Sequence, residues 1–216
     1  MAAIDPDDFR RLTVAHYRDA FAQHGATPRG VDWNGAESQE AHFAELLKLF
    51  PSDPAVGLDV NDLGCGYGAF AGWLAARRRV SRYRGYDVNA DMVAAARGLY
   101  ADPAFGFEVA DAPTREADYG VASGVFTLRL GRGDDECWRA LADGAAALDR
   151  TSRSGFAFNC LTSYSDPGKM RDHLYYPDPC RVFDHCKRNF SRQVALLHDY
   201  GLFAFTIIVR REGEPS

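Results

Sequence analysis

The chain has no excess of basic charge, no long apolar run and few cysteines, and each shortage removes a class of protein. Its 216 residues carry 25 Lys+Arg against 30 Asp+Glu, a formal net charge of −5. A general binder of phosphate backbones needs clustered, excess Lys and Arg, so nucleic acid is not an expected partner. No apolar run approaches the ~18 residues of a membrane span, so no membrane partner is expected either. The stretch Met1–Arg11 is acidic and lacks the basic-then-apolar pattern of a secretory leader. The five cysteines are an odd, scattered set, which argues against a disulfide framework and makes a cytoplasmic location with reduced thiols the expectation. His173, Cys180, Asp184, His185 and Cys186 lie close in sequence. They form no Cys-x-x-Cys or His-x-x-x-His spacing, so no metal is expected. There is no repeat and no low-complexity segment. What is present, 46% hydrophobic and 25% charged residues, matches an ordinary globular chain, and the length suits one domain with additions.

From about Asp5 to Phe50 the pattern is helical. Phe9, Leu12, His16 and Phe21 are expected on one face, and Phe43, Leu46, Leu47 and Phe50 recur at helical spacing in a second stretch from Ser38. The breaker-rich segment His24–Trp33 separates the two as a loop. Residues 1–54 are too short to bury a core alone and read as an N-terminal helical cap on residues 55–216. From Val56, short apolar runs alternate with helical patterns. Strands are expected at Val60–Leu63, Tyr83–Asp87, Phe105–Val109, Tyr119–Ser123 and Gly155–Cys160, and helices at Ala69–Arg78, Ala90–Tyr100 and Asp134–Leu148. That alternation predicts an α/β fold with a mostly parallel, doubly wound sheet. Asn89 is placed to cap the second of these helices, and Asp134, Asp135 and Glu136 put negative charge at the start of the third. The end of the chain departs from the pattern. Gln193–Tyr200 and Phe203–Arg210, around Gly201, predict an antiparallel hairpin. The Pro- and Gly-containing stretch 161–192 reads as an irregular insertion with one short helix near Arg181–Lys187.

The sharpest motif is Asp62-Leu63-Gly64-Cys65-Gly66-Tyr67-Gly68-Ala69, between an apolar strand and a helical pattern. Glycines here permit a tight turn and close approach of backbone to ligand, and the following helix start adds amide donors. Asp87 ends the next strand, where a carboxylate can accept both hydroxyl protons of a ribose. Asp111 follows the third strand, placed to accept from an exocyclic base amine. Each has a plain structural reading as a tight turn, a helix cap or a turn acid. Their succession at three consecutive strand ends, where ligands bind in open α/β sheets, favours a nucleoside-containing ligand. Gly64-x-Gly66-x-x-Ala69 also satisfies the dinucleotide fingerprint. The loop alone therefore leaves a nicotinamide cofactor and S-adenosylmethionine open. Asp62 before the first glycine, Gly68 as a third, Asp111, and a hairpin in place of a second dinucleotide half tilt the choice to the latter.

On these residues the chain resembles the class I S-adenosylmethionine-dependent methyltransferases, and its outer parts look like the small bacterial enzymes of the small-molecule type. Asp62–Gly68 looks like their first motif, Asp87 like the ribose acid, and Asp111-Ala112 like the adenine motif. Tyr119–Phe126, which contains Ser123 and Gly124, looks like their fourth-strand motif. The resemblance implies a Rossmann-like seven-stranded sheet whose last strand runs antiparallel between neighbours. It also implies S-adenosylmethionine as cofactor, bound through Asp62, Gly64, Cys65, Gly66, Gly68, Asp87, Val88, Asp111, Ala112, Ser123 and Gly124. Cys65 is expected to pack instead of react. The reaction implied is in-line transfer of a methyl group to an O, N or C nucleophile, driven mainly by proximity. The alternatives left open are an NAD(P)-dependent oxidoreductase and a non-catalytic cofactor-fold protein that binds a partner chain.

Candidates for the substrate side are Tyr17, Trp33, Gln39, Phe126, Arg129, Tyr164, Tyr175 and Tyr176. Trp33 reads equally as a cofactor cover or a core plug. No base is identified, and His185, His198 and Tyr164 are the weak candidates; both histidines also read as hydrogen-bonded structural residues. Arg77-Arg-Arg79, Arg82 and Arg84 fall at a helix end away from the glycine loop and read as solvated charge. The Asn/Asp-Pro-Pro-Tyr/Phe motif of enzymes that methylate base or glutamine amino groups is replaced by Ser123–Phe126, which favours a small metabolite. Oligomeric state has no sequence signal.

Overall fold

The computed structural model describes residues 6–211. The first helix runs over Pro6–His24 (α1), so its expected start at Asp5 lies outside the described residues. A 3₁₀ turn, Pro28–Val31, and helix α2, Ala36–Leu47, follow. The remaining elements are β1 Leu58–Leu63, α3 Ala69–Ala75, β2 Val80–Asp87, α4 Ala90–Leu99, β3 Phe105–Val109, β4 Ala117–Ala122, α5 Asp134–Arg150, β5 Ser152–Leu161, α6 Pro179–Asn189, β6 Gln193–Leu197 and β7 Ala204–Arg210.

The seven strands form one sheet in the order β3-β2-β1-β4-β5-β7-β6. The five strands from β3 to β5 are parallel, and β7 is antiparallel to both β5 and β6. Every residue of the central β1 is buried, as a strand covered on both faces requires. One face packs Phe43, Leu46, Leu74, Val93 and Ala96, from α2, α3 and α4, over Val60 and Phe107. The other packs Leu141, Leu148 and Val182, from α5 and α6, over Phe156, Phe158 and Ile207.

Asp59 is tied down at the end of β1 remote from the glycine turn. Burial alone would raise the Asp59 pKa, but hydrogen bonds and charge from Arg82 and Arg115 outweigh it and hold the carboxyl at about 2. Arg153 also reaches Asp59, at 3.3 Å. Part of the basic stretch around Arg77–Arg84 is thus engaged in the fold, and Arg77 lies over the Trp73 ring at 4.0 Å.

Helix starts follow their chemistry. Asn89 Oδ1 accepts from the Asp91 and Met92 amides at 3.0 and 3.3 Å, and Asp178 accepts from Cys180 N at 2.8 Å ahead of Pro179. Some expected boundaries shift. β4 ends at Ala122 because Gly124 takes φ +74. The terminal hairpin is joined by residues 198–203, with Gly201 at φ +73. The inward face of α1 is Phe9, Thr13 and Tyr17, all on the cavity described below. Leu12 is 46% exposed and lies off that face.

Candidate active site

Strand register assembles the site. Leu63 pairs with Tyr86 of β2 and Ala122 of β4, Asp87 pairs with Val109, and Ala122 pairs with Phe158. The residues just beyond, Gly64, Val88, Ala110, Ser123 and Asn159, therefore emerge together at the carboxyl edge. The chain reverses on either side of β1, between α3–β2 and β4, and this is the switch point where open sheets bind ligands. A cavity of 590 Å³ opens there, within the range of small-ligand sites. Its roof comes from α1, the Val31–Asn34 segment and α2, and part of its rim from Arg171, His173 and Leu174.

The glycine turn has positive φ at Gly64 (+71), Gly66 (+53) and Gly68 (+84). A Cβ at Gly64 would stand 2.3 Å from Val125 Cγ2, and one at Gly66 would stand 3.2 Å from Val31 Cγ1. The glycines therefore serve close packing of the chain around the turn as well as access to it. Gly68 does not reach the cavity; its missing side chain makes room for Tyr100 and Phe107, and its carbonyl accepts from Tyr100 OH at 2.6 Å. The Cys65 side chain is buried in the core, and burial, before the nearby Asp62 and Asp87, pushes its thiol pKa up.

Two carboxylates define the electrostatics of this half. Asp62 is 2% exposed and accepts from Tyr83 OH. Burial, with a smaller push from Asp87, raises its pKa to about 7 against the Tyr83 bond. Asp87 is also raised by burial, although Gly66 N donates to its Oδ2 at 2.9 Å and Asn89 N to its Oδ1 at 2.8 Å. Both line the cavity, and no Lys or Arg contributes to either shift. Asp111 lines it from beyond β3, whereas Ala112 does not.

The opposite half belongs to β4, β5 and the β6–β7 connection. Asn159 Oδ1 accepts from Gly124 N at 2.9 Å, and its amide donates to Ser123 Oγ at 3.0 Å, fixing the turn after β4. Trp33 lies against Gly124, where a Cβ would sit 3.1 Å from the indole. It covers the cavity instead of plugging the core. His42 meets Trp33 edge-on at 4.6 Å. Leu161, Leu202 and Phe203 complete the wall.

Residues 60–149 match the methyltransferase domain family. A Mycobacterium tuberculosis protein named as a methyltransferase, Rv1506c, is 53% identical over 153 residues, 70% of this chain and 92% of that protein. The chain belongs to the S-adenosylmethionine-dependent methyltransferases. Its fold is that of class I. Magnesium protoporphyrin IX methyltransferase from Synechocystis PCC 6803, solved with S-adenosylmethionine, superposes with TM-score 0.62 at 16% identity, over 98% of this chain and 100% of that one. The DhpI complex with S-adenosylhomocysteine gives 0.65 at 14% identity, over 95% and 98%. Human N-acetylserotonin methyltransferase gives 0.59 at 13% identity, over 94% and 57%.

The cofactor of this methyltransferase is S-adenosylmethionine, and the cavity chemistry suits it. The half at β1–β3 holds the buried Asp62 and the half-buried Asp87, with no Lys or Arg among the described residues acting on either, and the cofactor carries an ammonium and a sulfonium. When bound, it supplies a methyl group activated by sulfonium charge and leaves as a neutral thioether. Asp62, Gly64, Cys65, Gly66, Asp87, Val88, Asp111, Ser123 and Gly124 all line the cavity, as do Tyr17, Trp33 and Gln39.

The structure does not bring the other expected residues to the methyltransferase cavity. Phe126 is packed against Phe158 at 5.4 Å, over Gly144, because α5 needs that apolar ring. Arg129 pairs with Asp134 at 2.5 Å, and Tyr175 is buried in the core. Tyr176 OH accepts from Arg171 N at 3.1 Å. This stretch is consumed in zipping residues 127–130 onto 173–175, through Arg129 N to His173 O and Tyr175 N to Thr127 O, both 2.8 Å. Tyr164 is 67% exposed, beside His198 on the outer surface. His185 lies between Trp138 and Phe190, on the side of the sheet that carries α5 and α6. None of the three candidate bases lines the cavity.

His42, Asn159, Tyr67, Asp32, Arg171, His173 and Phe203 line it without having been singled out. A signal existed for two of them. Gln39, His42 and Phe43 fall at i, i+3 and i+4 on one face of α2, and Asn159 is a lone amide in the apolar run of β5.

Proposed function

We propose that this methyltransferase transfers the methyl group to a small molecule held in the half of the cavity bounded by Trp33, Asn159, Leu161, Leu202 and Phe203. The observation that carries this reading is the roof. α1, the Val31–Asn34 segment and α2 stand over the carboxyl edge, so an acceptor must fit beneath them. Residues 1–54 act as a cap, residues 55–216 as the catalytic domain, and the insertion 161–192 as part of the rim. Tyr17 ties α1 to the turn after β4 through Thr127; burial, ahead of Asp32 and Asp87, pushes its phenol pKa up. Apolar and aromatic walls orient the acceptor and exclude water, and the in-line approach supplies the rate. The Synechocystis and human relatives in fold are named for small acceptors, a porphyrin and N-acetylserotonin. The net charge of −5 and the acidic wall disfavour a phosphate-backbone acceptor.

The ribose would be held by Asp87, the methionine part by the turn Asp62–Gly66 with Ser123 and Gly124, and the adenine edge by Asp111. The test is incubation with methyl-labelled S-adenosylmethionine and either a small-metabolite extract, RNA or protein. Label in a small organic product is expected; label confined to macromolecules would refute the reading.

A further inference from the structure

Resting on that reading, we propose that His42 is the general base of the reaction and that the acceptor is an aromatic alcohol whose hydroxyl proton His42 removes. The tautomer follows from one contact. His42 Nδ1 lies 2.7 Å from the Ser38 carbonyl oxygen. A carbonyl only accepts, so Nδ1 carries the hydrogen and Nε2 carries the lone pair. Among the described residues no protein atom is hydrogen-bonded to Nε2. The ring is 6% exposed, lines the cavity, and is held edge-on between Trp33 at 4.6 Å and Tyr200 at 5.9 Å. A base fixed by one nitrogen and two aromatic neighbours, on a residue that lines a ligand cavity and with its other nitrogen unbonded, has the arrangement that proton removal needs.

Position supports the role. His42 packs against Trp33, in the half assigned above to the acceptor, whereas Asp62, Asp87 and Asp111 lie at the ends of β1–β3. Burial favours the neutral imidazole, lowering its pKa against the Ser38 contact and the charge of Glu45. The titratable groups facing it are Glu45, one turn along α2 and paired with Lys48 at 2.7 Å, and Tyr200, whose hydroxyl lies 3.2 Å from Thr206 Oγ1. The other histidines do not compete. His16 Nε2 lies 3.2 Å from Asp32 Oδ2, His173 is exposed at the rim, and His24, His185 and His198 do not line the cavity.

The need for a base selects the acceptor. A carbon or tertiary amine acceptor loses no proton at attack, and a thiol ionises on its own near neutrality. A hydroxyl gains most from a base, because its oxygen must shed the proton as it attacks. Trp33 and Phe203 supply flat apolar faces for an aromatic ring. In the step, the acceptor O–H bond breaks toward Nε2 and the oxygen pair forms the new O–C bond. The S–C pair stays on the sulfur, and the imidazolium then loses its proton to solvent.

The probe is 4-nitrophenol, yellow only as phenolate, titrated into the protein saturated with S-adenosylhomocysteine. The expected result is a phenolate fraction in the bound state above that of free probe at the same pH. A new imidazolium Cε1–H signal in the NMR spectrum should appear with it. His42→Gln should keep S-adenosylhomocysteine affinity within about twofold and lose the ionisation. With phenolic acceptors, its kcat should fall about 10²–10⁴-fold and the acid limb of the pH–rate profile should vanish. Probe bound as the neutral phenol, no probe binding, or ionisation unchanged in His42→Gln would each overturn the assignment. If His42→Gln does not fold, the wild-type absorbance and NMR signals decide alone. Failure of S-adenosylhomocysteine itself to bind would remove the underlying reading, whereas binding without phenol ionisation removes only this inference.

Discussion

Asp62 is expected to couple cofactor binding to the release of a proton. In the free protein its pKa stands at about 7 against an ordinary 3.8, with burial the largest cause and Asp87 adding to it. At ~1.36 kcal/mol per tenfold change in the ionisation constant, the rise opposes the ionised form by about 4 kcal/mol. Since the folded value is the higher one, this group favours the free fold most below pH 3.8, and the contribution is lost as pH rises through about 7. A ligand cation on the same wall reverses the preference, so the carboxyl must release its proton on binding. The expected release is roughly half a proton at pH 7 and nearly one at pH 6, with affinity falling about tenfold per unit of acidification below 7. Calorimetric titration with S-adenosylmethionine in phosphate and in Tris, whose ionisation heats differ, reads the proton count directly. Asp62→Asn should bind more weakly and release none. Heats independent of buffer between pH 6 and 8 in the wild type would refute the reasoning.

Other substitutions separate binding from folding. Asp87→Ala removes a carboxylate proposed to hold the ribose and already bonded to Gly66 N and Asn89 N. It should weaken binding by ~1.5–3 kcal/mol, and unchanged calorimetric affinity would make Asp87 a loop acid only. Gly66→Asp forces a side chain into φ +53 beside Val31. It should cost about 1–2 kcal/mol of stability yet abolish cofactor binding, because it puts a side chain where the methionine part of the cofactor is proposed to lie. Phe126→Ala should cost about 3–5 kcal/mol in denaturant unfolding while cofactor affinity stays unchanged, since the ring faces Phe158 and Gly144. Asp59, held at about 2, contributes stability that is present above pH 3.8 and lost as pH falls through 2. Asp59→Asn should flatten that part of the acid-unfolding curve.

The parts of the molecule visible in the sequence are those governed by local chemistry. The glycine turn, Asn89 as a cap and the alternating runs of β1–β5 each follow from backbone geometry or hydrophobic period, so their places were readable residue by residue. Most of the expected residues at the ends of β1–β3 line the cavity because they follow strand ends in order, Gly68 and Ala112 excepted. The opposite half of the cavity was not legible, because it is made by distant segments meeting. Trp33, His42, Asn159 and Phe203 come from a loop, a helix, a strand end and a hairpin connection, and no local pattern joins them. Phe126 and Tyr175 were misplaced for the same reason: an aromatic near a strand end can turn to the cavity or to the core, and packing of α5 and of the 173–175 segment turned them inward. His185 lies in the second half of α6 and packs against Trp138.

The most direct test is a crystal structure with S-adenosylhomocysteine bound. The account predicts ribose hydroxyls on Asp87, the amino group beside Asp62, and the sulfur facing the space between Trp33, His42 and Asn159. A ligand bound outside this cavity, or a sulfur turned away from that space, would contradict it.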